Sequence, residues 1–184
     1  MRSIVVFESM FGNTRLVAEA IADGIGASVP VELVGVDEAS SEIQPDVILL
    51  VVGGPTHAFG MSRPRTREDA MKQNGDSALS SGSGMREWLA SITGGARPLG
   101  AAFDTRIDKP RVPGSAARAA EKRLRKLGFP LVTRAESFYV SGTPGPLVEG
   151  ELERARRWGE TLGAAVLNHR GRTNRAGSPQ HEKG

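Results

Sequence analysis

The sequence predicts an α/β protein built on a single doubly wound sheet of five parallel strands in the order 2-1-3-4-5. Short apolar runs, typical of strands covered on both faces, alternate with segments of helical periodicity. A polar turn containing glycine follows the first apolar run, and a second such turn follows the third. In a sheet of this order, ligands bind where the strand order reverses, at the carboxyl ends of strands one and three.

The first half of the chain contains three predicted strands and one helix. Strand one, Arg2–Glu8, is mostly apolar, and the helix Asn13–Ile25 that follows has an apolar stripe at helical spacing. Val29–Val36 alternates and is predicted as strand two at a sheet edge, because Pro30 is tolerated only there or at a strand start. Asp46–Gly53 is a continuous apolar run, as expected of a central third strand.

The second half opens with Ser62–Gly84, a polar stretch rich in Gly and Ser that is predicted as a long loop, functional or mobile. The remaining elements are predicted, in order, as a helix, a strand, a helix, a fifth strand bent or interrupted between two pieces, and a last helix: Met85–Ile92, Leu99–Thr105, Ser115–Leu127, Phe129–Val132 with Ser137–Val140, and Val148–Asn168.

The length of 184 residues fits one domain, assigned to residues 1–168, followed by a basic tail over 169–184. The tail has four basic residues and one acidic residue, and removing them from the totals of 24 and 21 leaves 20 of each in the domain. We therefore interpret the tail as a disordered, solvated extension and the pI of about 9.7 as its consequence. RNA or membrane contact stays open, but nucleic acid is not favoured, since no aromatic residue interleaves the tail charges.

Composition also excludes several classes of protein. No apolar run reaches the length of a membrane span, and the chain begins directly with a strand rather than a leader, which favours a cytoplasmic location. Cysteine is absent, which excludes disulfides, thiolate metal sites and the low-molecular-weight tyrosine phosphatases, whose first loop needs a Cys. A receiver domain needs clustered acids after strand one and an Asp after strand three, where this chain has only Glu8 and Gly53-Gly54-Pro55.

The turn after strand one is the first candidate binding loop. A helix N-terminus leaves backbone N–H groups unpaired and carries a partial positive charge, so it attracts an anion. Hydroxyl and amide side chains can donate further hydrogen bonds, and Gly12 allows close backbone approach. No P-loop Lys or G-x-G-x-x-G is present, and the alternative is a ligand-free turn capped by Asn13 or Thr14. The candidate phosphate-binding residues are Ser9, Met10, Phe11, Gly12, Asn13 and Thr14.

Two loops together carry a family resemblance. The pattern Ser/Thr-x-x-Gly-x-Thr after strand one resembles the loop with which flavodoxins bind the phosphate of FMN. The loop after strand three resembles the flavodoxin loop beside the isoalloxazine ring, and its candidate residues are Pro55, Thr56, His57, Ala58, Phe59 and Gly60. The resemblance extends from Met1 to about Asn168 and implies a flavodoxin-like fold with FMN as cofactor, backbone amides against the ring, and a Gly60 peptide that reorients with redox state. His57 contacts the flavin edge or a substrate, or is a solvated loop residue, and Phe59 could equally join the core.

The loop after strand four departs from typical flavodoxins. By position only, Asp104, Thr105 and Arg106 correspond to the second loop that contacts the ring, which usually supplies an aromatic cover. The stretch Asp104–Pro110 has no aromatic residue, and the two tryptophans, Trp88 and Trp158, lie on apolar helix faces and are assigned to the core. An open ring face would leave space for a nicotinamide or a quinone, which favours an enzyme over a pure carrier.

The favoured function is therefore an FMN-binding redox protein, either an electron carrier for a redox partner or an oxidoreductase passing electrons from NAD(P)H to a small acceptor such as a quinone. No catalytic side chain and no metal are required. The alternative is a flavodoxin-like module that binds a partner or an anion without flavin. Arg63, Arg65 and Arg67 are either solvated or hold a second anion such as the NADPH phosphate. The neutral domain also differs from the acidic flavodoxins that dock on basic partners.

Overall fold

The computed structural model describes residues 1–57, 60–74, 83–110 and 113–176, and the structural statements below concern these residues. Five strands form one parallel sheet in the order β2-β1-β3-β4-β5, which confirms the predicted fold class. In chain order the strands β1 to β5 are Arg2–Phe7, Val31–Gly35, Val47–Pro55, Leu99–Ile107 and Glu136–Val140. The predicted second strand is an edge strand, and it is shorter at both ends than the alternating pattern suggested.

Five helices flank the sheet in the described part of the chain. In chain order, α1 to α5 are Asn13–Gly26, Pro64–Asn74, Met85–Ser91, Ala116–Lys126 and Glu151–Ala176. One apolar layer lies between the sheet and the α3 and α4 side, and the other lies against α1 and α5. None of these helices combines the length and the apolar character that crossing a bilayer requires.

Both tryptophans pack with the core, as the sequence predicts, although Trp158 is only partly buried. Trp88 is buried, and its indole N–H donates to the carbonyl oxygens of Ala39 and Ser40 at 3.2 and 3.3 Å. Trp158 packs edge-on against the rings of Phe103 and Phe138, with centroid distances of 6.4 and 6.1 Å. The aromatic rings therefore stabilise the two apolar layers.

Helices α1 and α5 approach each other through glycines. A methyl group built on Gly24 would lie 2.1 Å from the carbonyl oxygen of Arg156, and one on Gly159 would lie 2.2 Å from that of Ile21. The two helix backbones are therefore in direct contact, and the contact requires glycine at both positions. This contact fixes the position of α1, and with it the loop that precedes α1.

Three predicted elements need correction. The long loop Ser62–Gly84 contains a helix, α2, which begins at a proline in the first helical position, where its missing N–H costs nothing. Residues 75–82 of that predicted loop lie outside the described residues. The last helix continues past Asn168 to Ala176, so the first half of the predicted disordered tail is helical, and 177–184 are not described. The early piece of the fifth strand is reduced to one bridge between Leu131 and Gly100, while β5 itself is continuous.

Candidate functional site

A cleft of about 410 Å³ lies at the carboxyl edge of the sheet, where the strand order reverses around β1 and β3. All three predicted loops contribute to it, with the side chains Met10, Phe11, Asn13, Thr14, Pro55, Thr56, His57, Thr105 and Arg106. Of the other predicted site residues, Ser9, Gly12, Gly60 and Asp104 do not line the cleft, and Ala58 and Phe59 lie outside the described residues. The structure therefore brings most of the predicted residues to one place.

The first loop ends in a helix N-terminus whose N-cap residue has no side chain to cap it. Gly12 is the N-cap residue and adopts a left-handed conformation, with φ 88° and ψ −22°. The alternative in which Asn13 or Thr14 caps the helix is therefore wrong, since both lie inside the first turn. Ser9 Oγ accepts from the backbone N–H of Arg15 at 3.3 Å, which ties the start of the loop to the helix. The N–H groups of Asn13 and Thr14, the first two residues of the helix, can donate to an anion.

A pair of buried hydroxyls connects the first loop to the end of β4. Thr14 Oγ1 and Thr105 Oγ1 are 2.7 Å apart, and both threonines line the cleft. Each hydroxyl has one hydrogen and two lone pairs, so the pair can rotate and still donate a hydrogen bond to a ligand atom. The arrangement adds a side-chain donor beside the backbone donors of the helix start.

The loop after β5 forms a wall of the cleft that the sequence analysis missed. Val140, Gly142, Thr143 and Pro144 line the cleft, together with Thr66 of α2 and Ile107 of β4. Asn13 Nδ2 donates to the carbonyl oxygen of Pro144, so this loop is held over the first one. One N–H of the amide expected to bind phosphate is therefore used within the protein, and the amide has a second N–H that can donate to a ligand. The Gly- and Pro-rich sequence of the loop after β5 could have indicated this third wall, since the parallel strands all end at the same edge of the sheet.

The second loop forms a tight backbone turn after β3. The N–H of His57 donates to the carbonyl of Gly60 at 2.8 Å, and the N–H of Gly60 donates back at 2.9 Å. The side chain of His57 is half-buried rather than fully solvated, and burial lowers the pKa of its imidazole. A lowered pKa keeps the ring neutral at pH 7. His57 therefore presents an uncharged wall to the cleft.

Asp104 has a structural role that the sequence did not predict. Its carboxylate is fully buried and accepts hydrogen bonds from Thr56 Oγ1 at 2.8 Å, Ser115 Oγ at 2.6 Å and the backbone N–H of Ala117 at 2.9 Å. A carboxylate at a helix N-terminus is stabilised by the helix dipole and by the unpaired N–H groups. Asp104 thus anchors α4 beneath the second loop instead of facing the cleft.

Comparison with known proteins identifies the family of the chain. A model of the flavodoxin family matches residues 5–97, which is half of the sequence. The chain belongs to the flavodoxin family. Flavodoxins are flavin-binding proteins that transfer electrons to redox partners, so the chain is a flavin-binding redox protein. No curated protein matches the sequence.

Solved flavodoxin structures share the fold over nearly the whole chain. A flavodoxin from the domain Archaea is 21% identical, with a TM-score of 0.62 over 91% of this chain and 99% of that one. Flavodoxin 1 from Bacillus cereus is 18% identical, with a TM-score of 0.62 over 92% and 99%. A flavodoxin, WrbA-like protein from Agrobacterium tumefaciens is 18% identical, with a TM-score of 0.57 over 91% and 98%. At these identities the likeness establishes the fold.

A buried polar network connects the residues next to the first and second loops. Glu8, the residue before the first loop, accepts from Ser62 Oγ, which follows the second loop, and from the backbone N–H of Met85 at 2.8 Å. Arg67 donates to Ser62 Oγ at 3.1 Å and to Glu87 at 3.2 Å. Arg67 is buried, so it is not available to a second anion, whereas Arg63 and Arg65 are exposed. The network connects the end of β1 to the segment after β3 and to α3.

Glu8→Gln should change how the stability of this flavodoxin depends on pH. Burial raises the pKa of Glu8, and the bonds from Ser62 and Met85 and the charge of Arg67 oppose that rise. Because the folded protein binds this proton more tightly than the unfolded chain, the stabilisation is complete below the ordinary pKa of Glu and is lost as pH rises through the raised value. We expect the unfolding free energy of the wild type, relative to Glu8→Gln, to fall over that interval.

Urea denaturation of both proteins at several pH values from about 4 to 8 measures this difference. A difference that is constant with pH would show that the Glu8 pKa is not raised. Glu87→Gln provides a control at the exposed end of the same network, where the carboxylate is more than a third exposed.

Proposed function

We propose that this chain binds FMN in the cleft and uses it to move electrons, either as a carrier or as an NAD(P)H-dependent oxidoreductase. The observation that supports the proposal most is the N-terminus of α1, where the N-cap Gly12 has no side chain, beside the Thr14–Thr105 hydroxyl pair at the edge where the strand order reverses. This arrangement supplies several hydrogen-bond donors and a partial positive charge to a phosphate.

The cleft also fits the rest of the cofactor. Its volume lies within the range of about 300–1,000 Å³ that is usual for small-molecule sites. Polar donors lie at the α1 end, whereas Pro55, Ile107 and Val140 supply apolar surface elsewhere in the lining. A ligand with a phosphate at one end and a flat apolar ring at the other matches this distribution.

FMN supplies the redox chemistry when it is bound, because its ring accepts and releases electrons. The proposed work of the protein is to hold the phosphate with Ser9–Thr14 and to flank the ring with the His57–Gly60 turn and the β4 end at Thr105 and Arg106. Asp104 contributes indirectly, because it positions Thr56 through the 2.8 Å hydrogen bond.

The absence of an aromatic residue over 104–110 supports the oxidoreductase form of the proposal. Tyr139 does not replace the missing ring, since it does not line the cleft and its ring centroid lies 6.0 Å from the guanidinium carbon of Arg154. Hydride transfer requires the reacting atoms to be about 3–3.5 Å apart, so it needs an uncovered ring face. Anaerobic mixing of the FMN-loaded protein with NADH or NADPH tests this form: flavin bleaching supports an oxidoreductase, and an unchanged spectrum supports a carrier.

FMN should bind with 1:1 stoichiometry and at least 100-fold more tightly than riboflavin, which lacks the phosphate. Hydrogen bonds to a charged group are each worth about 1.5–3 kcal/mol, and the loop can supply more than one. Calorimetric titration of the apoprotein with both ligands measures the ratio. Equal affinities would remove the phosphate site, and failure of both ligands to bind would favour the alternative of a module without flavin.

A further inference from the structure

The charges of the chain are separated along the strand order of the sheet. Residues 27–46, which contain β2 at one edge, include five exposed acidic residues and no Lys or Arg: Glu32, Asp37, Glu38, Glu42 and Asp46. Residues 116–134, which contain α4 and lead into β5 at the other edge, include one acidic and six basic residues: Arg118, Lys122, Arg123, Arg125, Lys126 and Arg134. Arg2 pairs with Glu32 and Asp46 of the first group, so that edge has a net charge of −4, against +5 for residues 116–134. Residues 1–168, whose charges sum to zero, are therefore acidic at one edge of the sheet and basic at the other.

Four of these basic residues form a concave surface, which we call the cationic face: Arg118, Lys122, Arg125 and Arg134. They line a shallow depression of about 490 Å³ between α4 and the chain that enters β5. Because the opposite side of α4 packs into the core through residues such as Ala120 and Leu124, the basic side chains all project outward.

The one acidic residue in the depression is used internally. Glu121 is mostly buried, with its side chain 16% exposed, and it accepts from Arg125 at 2.6 Å and from the backbone N–H of Ala135 at 3.2 Å. It therefore holds the chain beside Arg134 against α4. The outer charge of the depression stays positive.

The cationic face begins at the rim of the cleft. The backbone N–H of Ala116, the first residue of α4, donates to Thr56 Oγ1 at 2.9 Å, and Thr56 lines the cleft. Arg118 follows two residues later and is exposed. A protein seated on the cationic face would consequently reach the mouth of the cleft.

We propose that the cationic face docks an acidic redox protein. The redox role of the partner rests on the proposed function. The contact itself depends on charge and needs no flavin. Opposite charges steer and orient such a partner, and the acidic edge at β2 repels it from the wrong side of the molecule. A polyanion such as RNA is less well matched, since Phe129, the one aromatic residue in 116–134, is buried beneath Arg97 and offers no base a stacking surface.

The test uses two haem proteins of opposite charge as probes: cytochrome b5, which is acidic, and cytochrome c, which is basic. Calorimetry measures binding of each probe to the full chain, with and without added FMN, at about 20 and 200 mM salt. We expect cytochrome b5 to bind at low salt, with at least tenfold weaker binding at high salt, and cytochrome c to bind more weakly than cytochrome b5 throughout.

Arg118→Glu with Lys122→Glu should weaken cytochrome b5 binding at least tenfold. The matched control is Arg157→Glu with Arg172→Glu, which makes the same change in net charge at exposed positions of α5, on the other side of the sheet, and should change binding less than twofold. Because binding is measured without flavin as well, loss of FMN binding would overturn the proposed function and leave the docking result intact.

Four results would overturn the proposal. Cytochrome b5 could fail to bind at low salt, or bind no more tightly than cytochrome c, which would show that the cationic face does not select an acidic protein. The control pair could weaken cytochrome b5 binding as much as the test pair, which would show that binding depends on the net charge of the protein and not on the cationic face. An RNA oligonucleotide could bind more tightly than cytochrome b5 and depend on Arg118 and Lys122, which would make the face a polyanion site. Sedimentation could show salt-sensitive self-association that Glu38→Lys abolishes, which would make a second copy of the chain the occupant.

Discussion

Gly159→Ala should destabilise the protein by about 2–3 kcal/mol, although alanine is the better helix former by about 1 kcal/mol. The added methyl group would lie 2.2 Å from the carbonyl oxygen of Ile21, and backbone atoms cannot move aside as a side chain can. Helices α1 and α5 must separate, which loosens the layer that contains Phe103 and Phe138. Thermal denaturation should show a melting temperature lower by about 5–10 °C.

Gly171→Ala is the matched control in the same helix. A methyl group at this exposed position would meet no atom within 4 Å, so only the gain in helix propensity applies. We expect a stabilisation of about 0.5–1 kcal/mol. Changes of opposite sign in the unfolding free energy for these two substitutions would establish the close contact of α1 and α5. A Gly159→Ala variant as stable as the wild type would show that the helices do not meet there.

Ser9→Ala with Thr14→Ala should produce a folded protein that has lost most of its affinity for FMN. Thr14 lines the cleft and Ser9 does not, so the pair removes one direct hydrogen bond to the phosphate, worth about 1.5–3 kcal/mol, which corresponds to a loss on the order of 10- to 100-fold. Ser9 and Thr14 also bond to Arg15 and Thr105 within the protein, so a fall of a few degrees in melting temperature accompanies the loss. Fluorescence quenching of FMN on titration measures the affinity.

Ser91→Ala with Thr161→Ala is the matched control, because it also removes one serine and one threonine hydroxyl, at positions that do not line the cleft. Each of these hydroxyls donates to a carbonyl in its own helix, at 2.9 and 3.0 Å. The control should bind FMN like the wild type. If the test pair also binds FMN fully, the backbone N–H groups of the helix start hold the phosphate alone, and the two hydroxyls serve the loop structure only.

Periodic and local features were predictable from the sequence. The apolar runs that form β1 and β3 are covered on both faces of the sheet. A strand in this position has nearly continuous apolar residues, which the sequence shows directly. The first two loops were found because each directly follows such a run. The helix α2 escaped prediction because Pro64–Asn74 is strongly polar and has no apolar stripe, so its first turn is placed by tertiary contacts such as that of Arg67 with Glu87.

The sequence by itself determined the parallel α/β class and the two loops, because these follow from patterns within a few residues of one another. The strand order was predicted from the known topologies of doubly wound sheets. Only the tertiary structure decided the roles of side chains whose partners are distant in sequence. Asp104 anchors α4, Asn13 holds Pro144 across 131 positions, and Glu8 pairs with Ser62 and Met85. A polar residue has the same appearance in a sequence whether it faces a ligand or the protein, and the position of its hydrogen-bond partner separates the two roles.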